Sequence, residues 1–240
     1  MSEIISIYNK WMLEEDYYPH LLPAYQQMVG DLAIKLGIGN LSGDDYVIDL
    51  GSGLGYTCSV IRNLNPKVKL IAVDPSAEML AKLENCKELM VDGFINCPAE
   101  DLHNNLEIKP AVILSSFALH HIPHEEKQKT IKQLYNILAK NGRLGIGEIS
   151  VNTLIPDEKE RFEHLVDFFA YGAKYISKHT SVENGKKELE FMMQALNGET
   201  ELFQLAEQWV GLFTDAGFAV TKPFFSEPSD LKYFNLVGTK

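Results

Sequence analysis

Cysteine, excess basic charge and long apolar runs are all scarce in this sequence of 240 residues. Its three cysteines, Cys58, Cys86 and Cys97, form no CxxC pair and follow no regular spacing. They therefore predict neither a disulfide framework nor a metal site, and a reducing, cytoplasmic compartment fits them best. No run of about 18 apolar residues occurs and no signal-peptide pattern is visible, so we expect no membrane span and no membrane partner.

Basic residues are outnumbered, because 22 Lys and Arg stand against 33 Asp and Glu and give a formal net charge of −11. An acidic surface repels phosphate backbones, so nucleic acid is not expected as the main partner. The apolar content of 45% is enough to bury a large core. The length predicts a single domain over residues 1–240 and leaves a homodimer open.

Strand and helix patterns alternate through the middle of the chain. Short apolar runs predict strands, and the segments between them have helical spacing. Such alternation predicts an α/β fold with a parallel sheet and right-handed crossovers. Two further runs near the C-terminus bring the predicted sheet to seven strands. The strands are predicted at 46–50, 69–73, 94–96, 111–115, 143–149, 218–220 and 233–237, and the helices between them at 56–63, 76–83 and 124–138.

Helical segments flank this pattern on both sides. We predict an N-terminal helical region over 1–40, a core over 41–150, a helical insertion over 151–210 and closing strands over 211–240. Within the insertion, helix breaks are expected near residues 172, 179–181 and 197–198. The aromatic residues of the N-terminal region either pack a helix or close as a lid over a ligand, and those of the insertion form a second wall. These are Tyr8, Trp11, Tyr17, Tyr18 and Tyr25 in the first set, and Phe162, Phe168, Phe169, Tyr171 and Tyr175 in the second.

A glycine-rich loop follows the first predicted strand. Residues 49–55 read Asp-Leu-Gly-Ser-Gly-Leu-Gly. The glycines permit close approach of the backbone to a ligand, and the helix that follows directs its N-terminus to the same place. Asp49 can accept a hydrogen bond from an ammonium group. Asp74, at the end of the second strand, can take both hydroxyls of a ribose or, alternatively, cap the next helix.

Four segments resemble the motifs of one family, the class I S-adenosylmethionine-dependent methyltransferases. They are 47–55, 72–80, 115–122 and 138–145. The resemblance covers residues 40–150 and the two closing strands. It implies a Rossmann-like seven-stranded sheet, S-adenosyl-L-methionine as cofactor, S-adenosyl-L-homocysteine as product and a small-molecule substrate. It gives little information about which substrate.

The resemblance also implies the roles of individual residues. The glycine loop would hold the methionine part of the cofactor, Asp49 its amino group and Asp74 its ribose. Residues 98–101 occupy the place of the adenine-contacting loop but have Pro98 where the family often has an acid, so that contact falls on Glu100 or Asp101. The full set of expected cofactor residues is Asp49, Gly51, Ser52, Gly53, Gly55, Asp74, Pro75, Met79, Ala99, Glu100, Ser115, Ser116, Phe117 and Tyr25.

Three residues are candidates for catalysis. His120 and His121 could act as a general base, since the pKa of histidine lies near neutrality, or they could serve only the architecture of the site. Glu148, at the end of the fifth strand, could orient a nucleophile. Methyl transfer from a sulfonium needs little more than in-line positioning, so no covalent nucleophile is required.

Two other functions stay open at this point. The helical block after strand five resembles, in layout, the carboxy-S-adenosylmethionine synthases, which use the same cofactor for another reaction. A binding subunit without turnover is the second alternative, because a fold alone does not establish activity.

Overall fold

The computed structural model describes residues 22–240. Tyr25 belongs to this part of the chain. The other four aromatic residues of the predicted lid, Tyr8, Trp11, Tyr17 and Tyr18, lie outside the described residues.

The strands within residues 22–240 form one mixed sheet. Its path runs β3-β2-β1-β4-β5-β8-β6, and the short strand β7 pairs with β8 beside this path. The pairs from β3 to β5 are parallel, and β8 is antiparallel to β5, β6 and β7. The predicted α/β sheet is thereby confirmed, with one strand more than the seven predicted, because β7 was not predicted. The strands are β1 Tyr46–Leu50, β2 Lys69–Val73, β3 Gly93–Ile95, β4 Val112–Ser116, β5 Arg143–Ile149, β6 Ala219–Val220, β7 Phe224–Phe225 and β8 Tyr233–Thr239.

Helices cover both faces of this sheet. They are α1 Pro23–Lys35, α2 Tyr56–Leu64, α3 Ala77–Asn85, α4 Leu102–Asn105, α5 His124–Ile137, α6 Glu158–His179, α7 Val182–Asn197 and α8 Ala206–Ala216. Alternate residues of a strand point to opposite faces, so β1 directs Val47 to one side and Ile48 to the other. Val47 packs with residues of α1, α2 and α3, such as Leu32. Ile48 packs with residues of α5 and α8, such as Trp209.

The insertion after β5 consists of α6 and α7, which pack on each other. The predicted break at Gly172 is wrong, because α6 continues through it. A Cβ atom at Gly172 would lie 2.7 Å from Oε1 of Glu188 on α7. A side chain there would displace the buried carboxyl group of Glu188, so this glycine makes room for that group between the two helices. The predicted breaks at 179–181 and 197–198 coincide with the ends of the two helices.

The order of the strands places a crevice beside β1. The chain runs outward from β1 to β2 and β3, then returns to add β4 on the opposite side of β1. In open α/β sheets, ligands bind outside the carboxyl ends of the strands at such a reversal. The loops that follow β1 and β4 therefore form the expected site.

Helix α1 packs tightly on β5. A Cβ atom at Gly145 would lie 2.7 Å from Cδ1 of Leu36 and 2.9 Å from Cδ1 of Leu32. We expect Gly145→Ala to lower the free energy of unfolding by roughly 1–3 kcal/mol, because overpacking forces a shift of the helix. Urea denaturation followed by circular dichroism measures this change.

Gly30, within α1, is the matched control. A Cβ atom there meets nothing within 4 Å. Gly30→Ala should raise the free energy of unfolding by roughly 0.5–1 kcal/mol, since alanine restricts the unfolded chain and favours the helix. Changes of the same sign at both positions would contradict the packing of α1 on β5.

Candidate active site

A cavity opens at the carboxyl ends of β1 and β4. Its walls come from the loops after these strands, the loop after β2, the segment 97–100 and the helical insertion. Thirteen of the predicted site residues line it. They are Tyr25, Gly51, Ser52, Gly53, Asp74, Pro75, Met79, Ala99, Glu100, Ser116, Phe117, His120 and His121.

Four other predicted residues support the cavity from behind. Asp49 and Glu148 are buried beneath its wall. Gly55 takes a φ of 88° at the start of α2, where a Cβ atom would lie 2.3 Å from Leu83. The hydroxyl of Ser115 donates a hydrogen bond to the carbonyl of Leu50 at 2.8 Å, which fixes the end of β4 against β1.

The glycine loop is held against β2 by its own amides. The amides of Gly51 and Ser52 donate to the carbonyl of Val73 at 2.8 and 3.0 Å. Gly51 has a φ of 77°, and a Cβ atom there would lie 2.3 Å from the Cβ of Ala118. Only glycine allows the loops after β1 and β4 to approach so closely.

Asp49 is a buried acid, and one of its two carboxylate oxygens makes no hydrogen bond within residues 22–240. Its Oδ2 accepts a hydrogen bond from the thiol of Cys58 at 3.0 Å, whereas its Oδ1 has no hydrogen-bond partner among residues 22–240. Burial, followed by the charge of Asp74, raises the pKa of Asp49 to about 7. A buried carboxylate of this kind favours a cationic partner. The hydrogen bond from Cys58 was not predicted, because the sequence suggested only a core cysteine.

Asp74 lines the cavity and is fixed in direction by two backbone amides. Its Oδ2 accepts from the amide of Gly53 at 2.8 Å and its Oδ1 from the amide of Ser76 at 2.8 Å. The cap of helix α3 is Ser76, whose hydroxyl accepts from the amide of Met79. The alternative role of Asp74 as a helix cap therefore falls away. Burial raises the pKa of Asp74, and the second lone pair of each oxygen can still accept a hydroxyl.

A chain of hydroxyls closes the cavity beside Tyr25. The hydroxyls of Tyr25 and Thr57 lie 2.9 and 3.0 Å from the hydroxyl of Ser116. The ring of Phe117 lies 5.0 Å from that of Tyr25, and Phe117 takes a φ of 49°, which is uncommon for a residue with a side chain. Thr57 was missed from the sequence because it lies on the first turn of α2, beyond the glycine loop.

Glu148, which the sequence suggested could orient a nucleophile, does not line the cavity. It is fully buried, and its Oε1 accepts from the amides of Ala118, Leu119 and His120 at 3.2, 2.9 and 3.3 Å. Its Oε2 lies 2.7 Å from Nδ1 of His120. The carboxylate is thus used to fix the loop after β4, so Glu148 is a positioning residue.

His120 and His121 differ in charge although they are adjacent. Burial lowers the pKa of His120, but the charges and hydrogen bonds of Glu148 and Glu201 have the larger effect and raise this pKa to about 9. Burial and the charge of His120 together lower the pKa of His121 to about 4. Near neutral pH His121 is therefore the uncharged member of the pair.

The helical insertion supplies the far wall of the cavity. Phe169 is the one residue of the predicted aromatic wall that lines it, while Phe162 is exposed. Glu188 and Glu201 also face the cavity, and burial together with the charge of Glu201 raises the pKa of Glu188 to about 8. The two acids were missed because nothing in the sequence separates Glu188 from a surface acid of a helix, or Glu201 from a surface acid of a loop. The remaining wall is aromatic and includes Phe191, Phe203 and Tyr233.

Two sequence comparisons bear on this site. A family model described as a methyltransferase domain matches residues 48–144. A protein of Staphylococcus carnosus named an uncharacterized methyltransferase is 26% identical over 177 residues, which are 70% of this chain and 75% of that protein. A carboxy-S-adenosyl-L-methionine synthase of Chromohalobacter salexigens is 31% identical over 174 residues, which are 68% of this chain and 63% of the synthase.

Solved structures agree with the fold. An O-methyltransferase family protein from Burkholderia thailandensis has a TM-score of 0.61 at 20% identity over 90% of this chain. The present chain spans 55% of the length of that protein. Magnesium protoporphyrin IX methyltransferase from Synechocystis, solved with bound S-adenosylmethionine, has a TM-score of 0.58 at 16% identity. The match covers 90% of this chain and 80% of the Synechocystis protein.

The buried carboxylate of Glu148 generates a stability prediction. In Glu148→Gln the side-chain nitrogen cannot accept hydrogen bonds, so at least one buried donor loses its acceptor. We expect the free energy of unfolding to fall by about 2 kcal/mol, measured by urea denaturation. Glu163→Gln is the control, because Glu163 is exposed and its ion pair with Lys159 is 3.8 Å long. That variant should change stability by less than about 0.5 kcal/mol, and equal losses in the two variants would contradict the role of Glu148.

Proposed function

We propose that this chain is a class I S-adenosylmethionine-dependent methyltransferase, supported by the methyltransferase-domain match over residues 48–144 and by its methyltransferase relatives. It would methylate an oxygen, nitrogen or carbon atom of a small molecule. S-adenosyl-L-methionine is the cofactor and S-adenosyl-L-homocysteine the product derived from it. One observation carries the proposal. The glycine loop and Asp74 open into the same cavity as the aromatic and acidic wall of the insertion, so cofactor and acceptor can meet there.

The residues present fit the cofactor. The orphaned Oδ1 of Asp49 suits its ammonium group, directly or through water, and Asp74 suits the ribose hydroxyls. Gly51 leaves room beside Ala118 where any side chain would collide. Pro75, Met79, Ala99 and Glu100 line the part of the cavity that would receive the adenine. Of the two acids weighed for the adenine contact, Glu100 lines the cavity and Asp101 does not.

The acceptor side suits a small organic molecule. Phe169, Phe191, Phe203 and Tyr233 give it apolar, aromatic walls. The sulfonium of the cofactor would be an already activated methyl donor, so the chain's own contribution is to orient the acceptor. His121, which is neutral, can take a proton where the acceptor carries one. In this reading, residues 151–210 are an insertion that closes the acceptor side of a single domain.

Carboxy-S-adenosylmethionine synthesis is the second candidate, because relatives with that name are 25–31% identical to this chain. A carboxylated cofactor needs a cation near its added carboxylate. The residues that line the cavity include no Lys or Arg within the described part, whereas Glu188 and Glu201 face it. His120 is the cationic group there, and Glu148 and Glu201 already hold it. The charges therefore favour methyl transfer.

Turnover with cofactor labelled in its methyl group tests the proposal. The protein is incubated with a metabolite extract, and mass spectrometry follows the label. We expect the label to appear in a small product together with S-adenosylhomocysteine. Binding of the cofactor without any labelled product would contradict methyl transfer and favour a non-catalytic subunit. Conversion of the cofactor itself into a form whose methyl group has become a carboxymethyl group would favour the synthase.

Asp74→Ala ties this activity to the site. The variant removes both acceptors that face the ribose, so the affinity for S-adenosylhomocysteine in calorimetry should fall at least about tenfold. Asp44→Ala is the matched control, since the side chain of Asp44 is 99% exposed. Unchanged affinity in Asp74→Ala would overturn the assignment of the cofactor site.

Cofactor binding should depend on pH through Asp49. In the ligand-free protein its pKa is raised to about 7, and an ammonium ligand favours the ionised form. The affinity for S-adenosylhomocysteine should therefore be highest above pH 7 and fall by up to about tenfold per unit as pH decreases below it. Calorimetry between pH 5.5 and 8 in steps of about half a unit measures this profile.

Asp49→Asn serves as the control for the pH profile. The amide keeps the shape of the side chain but cannot titrate. The variant should bind more weakly at pH 8 and show a flat profile between pH 6 and 7, the range around the pKa of Asp49. A profile as steep as that of the unchanged protein would show that another group is responsible.

A further inference from the structure

His120, His121 and Glu201 form a compact group at the acceptor end of the cavity, which we name the His-His-Glu cluster. Each side chain offers one ligand atom, and these atoms all lie within 4.8 Å of one another. We propose that the cluster binds a divalent first-row transition metal ion. The sequence suggested no metal site, because two adjacent histidines and a glutamate 80 positions later make no recognisable spacing.

The hydrogen bonds behind the cluster select which ring nitrogens can bind a metal. Nδ1 of His121 lies 2.9 Å from the carbonyl oxygen of Thr200, and a carbonyl can only accept. Nδ1 of His120 lies 2.7 Å from the carboxylate of Glu148. Both Nδ1 atoms therefore carry a proton, so a metal ion would bind both rings through Nε2 and would displace the second proton of His120. Histidines that bind metals are typically held in this way, with the other nitrogen donating to a carboxylate or a backbone carbonyl.

The cluster is also positioned by the chain around it. Thr200, which orients His121, directly precedes Glu201, so one short segment supplies both an orienting group and a ligand. The buried Nζ of Lys127 donates to the carbonyls of His120 and Leu202 at 3.2 and 2.7 Å. It thereby joins the loop that carries the histidines to the segment that carries the acid. The three ligands are thus held in place by contacts that lie outside the cluster.

The contact within the cluster leaves room for an ion. Nε2 of His120 lies 3.3 Å from Oε2 of Glu201, yet it makes no aligned hydrogen bond although it is buried. Two ligand atoms bound to one zinc-sized ion at about 2.0 Å lie roughly 3.3 Å apart in tetrahedral geometry. The separation between His120 and Glu201 therefore already suits a shared ion. A small rotation of the His121 ring completes the set.

The ligand set determines the class of metal. Two imidazole nitrogens and one carboxylate oxygen suit Zn²⁺, Fe²⁺ and similar first-row ions better than Ca²⁺ or Mg²⁺, which prefer oxygen ligands alone. Three protein ligands leave at least one position open, as in catalytic rather than structural sites. All three ligands line the cavity, so an oxygen atom of a small molecule could occupy the open position.

The use of such an ion rests on the proposed methyl transfer. With the ion bound, His121 would be a ligand and not a proton acceptor. The cation would lower the pKa of an acceptor hydroxyl that it coordinates, so that the proton leaves to solvent. The oxygen lone pair would then form a bond with the methyl carbon while the carbon–sulfur bond breaks and its electron pair stays on the sulfur of S-adenosylhomocysteine. This role predicts an acceptor with an oxygen donor, such as a phenol or an enol. The metal site itself does not depend on that role.

Metal titration of the full-length protein tests the site. The protein is first treated with a chelator and then titrated with Co²⁺ in the absence of cofactor and acceptor. Visible absorption reports inner-sphere nitrogen ligands, and calorimetry with Zn²⁺ gives the affinity. We expect one ion per chain, and a loss of affinity of at least about tenfold in both His121→Ala and Glu201→Gln.

A histidine outside the cluster provides the control. His179 is exposed at the end of α6, so His179→Ala should leave the affinity unchanged. Thermal melting and cofactor binding verify that each variant is folded. If His121→Ala does not fold, Glu201→Gln still tests the site. A Co²⁺ spectrum like that of the hydrated ion, or equal affinities in all variants, would overturn the metal site. Because no cofactor is present, neither result depends on whether methyl transfer occurs.

Discussion

The buried carboxylate of Glu148 is the interaction on which the site depends. A charge with no exposure to solvent is tolerated only when its oxygens are fully hydrogen-bonded. Glu148 meets this condition by accepting from the amides of Ala118, Leu119 and His120 and by pairing with the ring of His120. The requirement to satisfy one acid at the end of β5 therefore fixes the path of the loop after β4.

That loop determines both halves of the cavity at once. At its beginning, Ala118 lies so close to Gly51 that no side chain fits between them, which sets the cofactor end. At its other end, His120 and His121 face the insertion, where Thr200 and Glu201 meet them. A change in Glu148 would thus move cofactor and acceptor groups together, and this coupling is a reason for placing so costly a charge in the core.

Local patterns predicted the sheet and the cofactor loop, but not the acceptor wall. Strand β1 and the loop from Asp49 to Gly55 could be inferred because the apolar run of the strand, the glycines of the turn and the start of the next helix follow one another within a dozen residues. Glu188 and Glu201 could not, since Glu188 lies on helix α7 and Glu201 in the segment between α7 and α8, where an acid normally faces water. Only the folding of the insertion turns them inward. The hydrogen bond of Cys58 to Asp49 likewise depends on how α2 leans on β1.

Acidic side chains are buried at both ends of the cavity, so a cationic ligand at either end would compensate negative charge. The pKa of Asp49 is raised to about 7 by burial, while a carboxyl of the unfolded chain ionises near pH 4. Its contribution to stability is therefore full below pH 4 and is lost as pH rises through 7, so near neutrality the ligand-free fold holds an unfavourable charge. Glu188 has its pKa raised to about 8 for the same main reason. The cations of the proposed ligands, the ammonium of the cofactor at one end and the metal ion at the other, would offset this cost, so their binding would be linked to the stability of the fold.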